Sequence, residues 1–552
     1  MKLSHLFRTF LLLVLLVGLH PVAPVQADPP ASYIFNVNTI ADTTDVLPGD
    51  GVCASAPGVC SLRAAIVEAN ALGAGGTQVE VIINLERDTT YIPETLLMIT
   101  ADQVSIQTAP GSGAKATISS TSSARGMVIS GELGAPAVLK VYDVRIANGK
   151  TIGLTNNFSA LWLDSVILEN LNYTSSAIGV DKGGGAIYNK GHLEMTNCTV
   201  RNNSTNANGG AILNNMGTFN IQNSTFTANS AGAYGGAIYN ISSSNSLDLK
   251  HIFNSIFENN TAGASGGAIY INGYNVQNPD GSGSVYIKDT RISNNQAVSG
   301  GGISISDEFG LVLSNAGMNL VNSEISGNIA LSGHGGGLYF SNHSSSSQTN
   351  IENSTISGNE AFLHGGGIYI ANDTHSTITL FNTTITDNAA DRLGGQENNG
   401  NGGGFYNASD STLYLRNSIV AGNHDLTSAM FALRIRDCVG SVELYYSLLG
   451  ISQLSFCDIS SGSTGQLVGT STPIDALLGD LMEGNTVTRF HTPLVNSPAI
   501  DSADPAGCFG AGANNRLLVV DQNYEPRPFG PACDMGAKEY IIYPIFLPTI
   551  LR

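Results

Sequence analysis

Six tyrosines recur in one phase of this chain: Tyr188, Tyr239, Tyr270, Tyr339, Tyr369 and Tyr406 each follow an apolar residue that itself follows a run of small residues containing a glycine pair. Aromatic rings in a line can pack on the CH faces of sugars while their phenols hydrogen-bond, so the spacing proposes a carbohydrate-contacting strip. The plainer alternative is a ladder that merely covers a sheet face, since aromatics favour strands. His334 and His364 stand before successive Gly triplets and are expected to stack about 5 Å apart. Two such ligands with no third in phase make a poor metal site, so no metal or other cofactor is expected. Glycoside hydrolysis needs two carboxylates within reach of each other, and none recur in phase; Asp307 and Glu308 would face opposite ways on a strand. Lys288, Arg291 and Arg201 are isolated among Asn and Ser, without the acid cluster that lyase chemistry requires. The residues therefore read as a binding surface with no catalytic constellation. A polysaccharide lyase or glycosidase is the competing class, and a structural spacer the third.

What positions the tyrosines is a phrase repeated eight times, GGAIY in its first form and GGGFY in its last, with its apolar residue at Ile187, Ile212, Ile238, Ile269, Ile303, Leu338, Ile368 and Phe405. Intervals of 25 to 37 residues mark a stacked repeat. A second phrase, NSTFTAN and its relatives, supplies an apolar column (Val200, Phe226, Phe257, Ile292, Ile325, Ile356, Ile385, Val420) and, three residues on, an Asn column (Asn203, Asn229, Asn260, Asn295, Asn328, Asn359, Asn388, Asn423). Parallel strands stacked in register would produce such columns. Asn is expected to turn a corner in the left-handed conformation, the Gly pair to turn the opposite one, and the apolar residues to fill a narrow core. Insertions after the Tyr strand, as in NGYNVQNPDGSGS and SNHSSSSQTN, would edge the proposed strip.

The fold expected is an all-β, right-handed parallel β-helix over 79–450. A short helical N-terminal cap would lie in 28–78, and a C-terminal cap domain would occupy 451–540. In the cap, Leu62, Ile66 and Ala69 fall on one helical face with Ser61 able to cap the start. Residues 1–27 read as a secretory signal, and 541–552 as an apolar tail too short to span a bilayer. Removal of that signal takes two cations, Lys2 and Arg8, and moves the net charge from −19 to −21. Nucleic acid is thereby disfavoured as a partner, and a neutral polysaccharide or cell-surface glycan favoured. An extracellular monomer is expected, and proximity pairs Cys53 with Cys60, Cys438 with Cys457, and Cys508 with Cys533. Cys198 is left over, in a column otherwise held by Ser, as a small buried thiol.

Three sets of words carry resemblances. CSLRAAIVEAN, 60–70, resembles the CSLREA motif of secreted bacterial β-helix proteins, with Ala64 where that family has Glu. NSPAIDSAD, DQNYEPRP and CDMGAKEY resemble the choice-of-anchor Q domain, departing from it at Asn523, Tyr524 and Lys538. GGAI with FxxN, as in Phe226 to Asn229 and Phe257 to Asn260, resembles right-handed parallel β-helix proteins and the chlamydial polymorphic outer membrane proteins. This last resemblance implies a surface or adhesive role. Gly333, His334 and Gly335 echo a word of the polygalacturonases, whose other catalytic words are missing here.

Overall fold

The computed structural model describes residues 31–541 except 75–78, 120–125, 131–135, 175–178, 180, 242–249, 274–284, 307–316, 342–347, 373, 375–376, 394–400, 409–412, 427–436, 453–455 and 513–515. The expected signal, almost all of the expected apolar tail and much of the inserted loops lie outside the described residues.

One coil shows how the sequence becomes the solenoid. Ile238–Ile241 follows the Gly pair, Lys250–Phe253 runs next, Ile256–Glu258 follows a turn at Asn254, and Thr261–Ala262 closes the circuit before the next Gly pair. Each strand pairs in parallel with its counterpart one coil on, Ile238 with Ile269, His251 with Tyr286, Phe257 with Ile292 and Thr261 with Gln296. The ladders form a 26-stranded, a 14-stranded and a 9-stranded sheet, the first uniting two faces through the long strand Cys438–Tyr445. This is the expected parallel β-helix.

Both apolar columns point inward, and all their members are at most 1 % exposed. Phe226 and Phe257 stack with ring centroids 4.6 Å apart. The Gly pair turns its corner as expected. Gly235 holds φ +66°, and a Cβ there would come within 2.2 Å of the Ile238 carbonyl; one on Gly236 would come within 2.0 Å of the Gly267 carbonyl.

The Asn column differs in one respect. Its amides form a continuous ladder, Nδ2 donating to the next Oδ1 at 2.8–3.0 Å from Asn203 to Asn423, ending on the carboxylate of Asp437. The left-handed residue is the one before it: Asn202, Ala228, Asn259, Asn294, Gly327, Gly358, Asp387 or Gly422. An inward amide must lie in the core to meet its neighbours, so the preceding residue takes the corner.

At the N-terminal end, α1 (Leu62–Gly73) packs Leu62, Ala65, Ile66 and Ala69 into the solenoid core. Ser61 caps it by accepting from the Ala64 N–H at 3.0 Å. Cys53–Cys60, Cys438–Cys457 and Cys508–Cys533 are bonded as expected. Cys198 is free and buried, its Sγ 3.3 Å from the Thr196 carbonyl. Past Leu467–Val468 the chain runs back along the outer face of the 14-stranded sheet. It meets Asn417 through the Asp504 N–H, Thr384 through Ala537, Thr355 through Gln522 and Glu324 through Arg489. That face carries small hydroxyl residues, Ser326, Ser357, Thr355 and Thr384, which leave room for the returning chain and bond to it.

Candidate functional site

The six tyrosines do lie in one register, but they do not form an open strip. Tyr239 and Tyr270 are 0 % and 2 % exposed, buried with Leu213 and Ile241 in a small cluster on the outside of their sheet. Tyr188, at its edge, accepts a hydrogen bond from Asn215. Tyr339, Tyr369 and Tyr406 stack at 5.5 Å intervals, and the imidazoles of His334 and His364 lie 4.3 and 4.4 Å from Tyr369 and Tyr406. A sugar stacks on a ring face, and here Tyr239 and Tyr270 face each other while Tyr369 is stacked between Tyr339 and Tyr406. Geometrically the six tyrosines form an aromatic ladder over a sheet, with Tyr239 and Tyr270 buried and Tyr188, Tyr339, Tyr369 and Tyr406 half-buried.

The two histidines stack 5.1 Å apart, as their spacing predicts. Nδ1 of His334 accepts from the His364 N–H, and Nδ1 of His364 from the Asn401 N–H, so each proton sits on Nε2. Burial, reinforced by His364, pushes His334 down to about 4. Burial also lowers His364, against the pull of Asp425. Among the described residues no three His, Cys, Asp or Glu converge as a metal site.

A different column is open. The strand following each Tyr strand alternates inward and outward, as in HLEMT, TFNIQ and TITLF, with burial following the same period. In register, the outward residues run Lys140, Trp162, Glu194, Asn220, His251, Tyr286, Asn319, Asn350, Thr379, Tyr414 and Glu443. At about 4.8 Å per coil they span nearly 50 Å. Trp162 is 42 % exposed and the rest are half-buried. Tyr286 meets His251 and Phe253 in T-shaped contacts, with ring centroids 5.8 and 5.7 Å apart.

Over the C-terminal half of this strip the returning segment forms a wall. Between them lies a groove of about 940 Å³, floored by Tyr286, Asn319, Asn350, Thr379 and Phe381 and walled by Leu517, Leu518 and Val519. Its floor offers flat rings and amides, with Asn350 donating to Asn319 at 3.0 Å. Glu352, at the groove margin, is held by Arg516 at 2.5 Å and by the Ala511 N–H, which occupies the lone pairs an acid or base would use. The strip's own carboxylates, Glu194 and Glu443, are many coils apart, far beyond the roughly 5–10 Å that paired glycosidic catalysis spans.

A second cleft of about 390 Å³ lies where the returning segment leaves the last coils, lined in part by Asp387, His424, Asp475, Asp480 and His491. His491 bonds Ser357 through Nε2 and the Gly479 carbonyl through Nδ1, both at 2.7 Å. Ser357 and His491 are each 3 % exposed, so this pair docks the segment and does not present a nucleophile.

The open column escaped the sequence reading because its residues share no letter. Its signal was the period-two alternation alone.

The family model of the Chlamydia polymorphic membrane protein repeat matches residues 223–241 and 254–272, two successive coils of the solenoid. Among solved structures, the chain is similar to the pectate lyase Pel9A at 15 % identity, covering 93 % of this chain and 97 % of that one with a TM-score of 0.35. It is also similar to the A-module of the Azotobacter vinelandii mannuronan C-5 epimerase AlgE4, at 16 % identity, 79 % and 97 % coverage and a TM-score of 0.32. No curated protein matches the sequence. The family model thus covers two coils, and the site must be argued from its own geometry.

Proposed function

We propose that this chain is an exported, surface-exposed β-helix protein that binds a carbohydrate chain, neutral along most of its length, on the outward strip from Trp162 to Tyr414. The observation that carries this reading is the groove floored by Tyr286, Asn319, Asn350, Thr379 and Phe381, in which two rings flank two amides and a threonine hydroxyl. Rings accept the CH faces of pyranoses, and amides exchange paired hydrogen bonds with vicinal hydroxyls. One coil rise is close to the length of one pyranose unit, so successive coils can meet successive sugars. Three disulfides support an oxidising compartment, and the chlamydial repeat words support display at a bacterial surface, where adhesion is the role such a strip serves.

The test is a polysaccharide and glycan panel, followed by titration of the best ligand against Tyr286→Ala/Phe381→Ala. The reading expects that double variant to bind at least about tenfold more weakly, a loss of about 1.4 kcal/mol, with its thermal midpoint nearly unchanged. Equal binding by both proteins contradicts it.

A further inference from the structure

The N-terminal end of the strip differs from the rest in charge. Three buried carboxylates elsewhere on the sheet faces meet arginines: Glu169 meets Arg145 and Arg201, Glu324 meets Arg489 and Glu352 meets Arg516. Glu194 meets none. Its Oε1 accepts from Asn220 Nδ2 at 2.6 Å, and its Oε2 lies 3.5 Å from Nε2 of His192, which carries charge only when protonated. The side chain is only 18 % exposed, and Asn220 Oδ1, buried beside it, finds no donor among the described residues. One coil away in register stands Trp162, with its indole 42 % exposed and His192 edge-on at 5.8 Å. A carboxylate short of donors, an amide oxygen short of a donor and an exposed indole thus sit side by side.

Building on the carbohydrate reading of the strip, we infer that Trp162, Glu194 and Asn220 form a subsite for a hexosamine bearing a free ammonium group. In this site the indole packs against the pyranose or its cation, and the Glu194 carboxylate takes the ammonium. The ligand is then a glycan polymer, neutral along most of its length, that presents an unacetylated amino sugar to this subsite. Charge complementarity supports this occupant. The chain carries a net charge of −19, which attracts a cationic polymer over distance and repels the uronate polymers that a basic groove would hold. The state of Glu194 points the same way. Burial raises its carboxyl above the ordinary range, opposed by His192 and Asn220, so an incoming ammonium supplies a permanent counter-charge where the fold offers only a histidine. The other charged groups on neighbouring coils leave that role open. Lys140 lies on the far side of Trp162, and Asp164 is already bonded by Ser165 and Asn197.

The test is calorimetric titration of the full chain with three oligosaccharides of equal length: β-1,4-glucosamine, its fully N-acetylated form and the neutral glucose oligomer. The buffer is acidic enough to keep the amines charged. Expected is binding of the glucosamine oligomer at least about tenfold tighter than either neutral oligomer, weakened by salt and lost in Glu194→Gln and Trp162→Ala. His192→Gln, which removes the competing cation, should tighten it. Thermal midpoints and circular dichroism of the variants verify folding. Equal affinity for all three oligomers, or an undiminished Glu194→Gln, overturns the ammonium subsite and leaves the carbohydrate reading standing. If no oligomer binds and the glycan panel is also blank, both fail.

Discussion

Asn328 shows how much one side chain does in a stacked fold. Its Nδ2 donates to Asn359 Oδ1 and to the Ile292 carbonyl, while its Oδ1 accepts from both the side chain and the backbone N–H of Asn295. Asn328→Ala therefore strands the backbone N–H of Asn295 in a dry core and removes the amide bonds to Asn295 Nδ2, Asn359 Oδ1 and the Ile292 carbonyl. It should cost about 3 kcal/mol in equilibrium urea unfolding. A loss under about 1 kcal/mol would mean the ladder is not a source of stability. Cys198 stands where other coils have Ser, and burial pushes its thiol up to about 12. Native protein should resist thiol reagents at neutral pH and react fully once unfolded; fast native labelling would contradict the buried site. His334 gives a signed pH dependence. Its folded pKa, about 4, lies below the ordinary 6.5, so the unfolded state binds the proton first. Stability is then complete above about 6.5 and declines as pH falls towards about 4, beyond which both states are protonated. His334→Phe should flatten that part of the melting-temperature profile, while His364, also lowered by burial, contributes in the same direction.

At the scale of the element, the strands differ in how legibly the sequence wrote them. Columns of Ile, Phe and Asn were readable because axial stacking repeats one environment, and one environment selects one letter. Tyr239 and Tyr270 were readable as outward-pointing, yet outward from the core did not mean exposed, because rings on adjacent coils cover each other. The open strip was not readable as a site. Trp162, Asn220, Tyr286 and Thr379 meet solvent and are under no packing demand to be alike. The path of the returning segment was also hidden, since it depends on pairings over 160 residues apart, such as Arg489 with Glu324. Glu324 is 0 % exposed, so Arg489→Ala leaves a buried charge with no counter-ion. The variant should lose about 3–5 kcal/mol from the docking of this segment. Limited proteolysis should then release the region after residue 472 while the coils persist; an unchanged digestion pattern would show that the segment is held by its other contacts alone.

As a whole molecule, the protein is one long stack whose core, ladders and returning segment reinforce each other. Function is left to whichever face is not consumed by that reinforcement. The 14-stranded sheet gives much of its face to the C-terminal segment, and the Tyr face closes over its own rings. The remaining strip runs nearly 50 Å with rings, amides and, at Glu194, a carboxylate that meets no arginine. Binding of a chain-like ligand here should be cumulative along the coils, with affinity rising with oligomer length. The most direct measurement is a comparison of two triple variants against the same glycan: Trp162→Ala/Tyr286→Ala/Phe381→Ala on the strip, and Tyr339→Leu/Tyr369→Leu/Tyr406→Leu on the ladder. The strip variant should lose binding with little change in melting temperature, and the ladder variant should melt earlier yet bind as the wild type does while folded. The reverse pattern, binding lost with the ladder and kept with the strip, would place the site on the tyrosines and contradict the account.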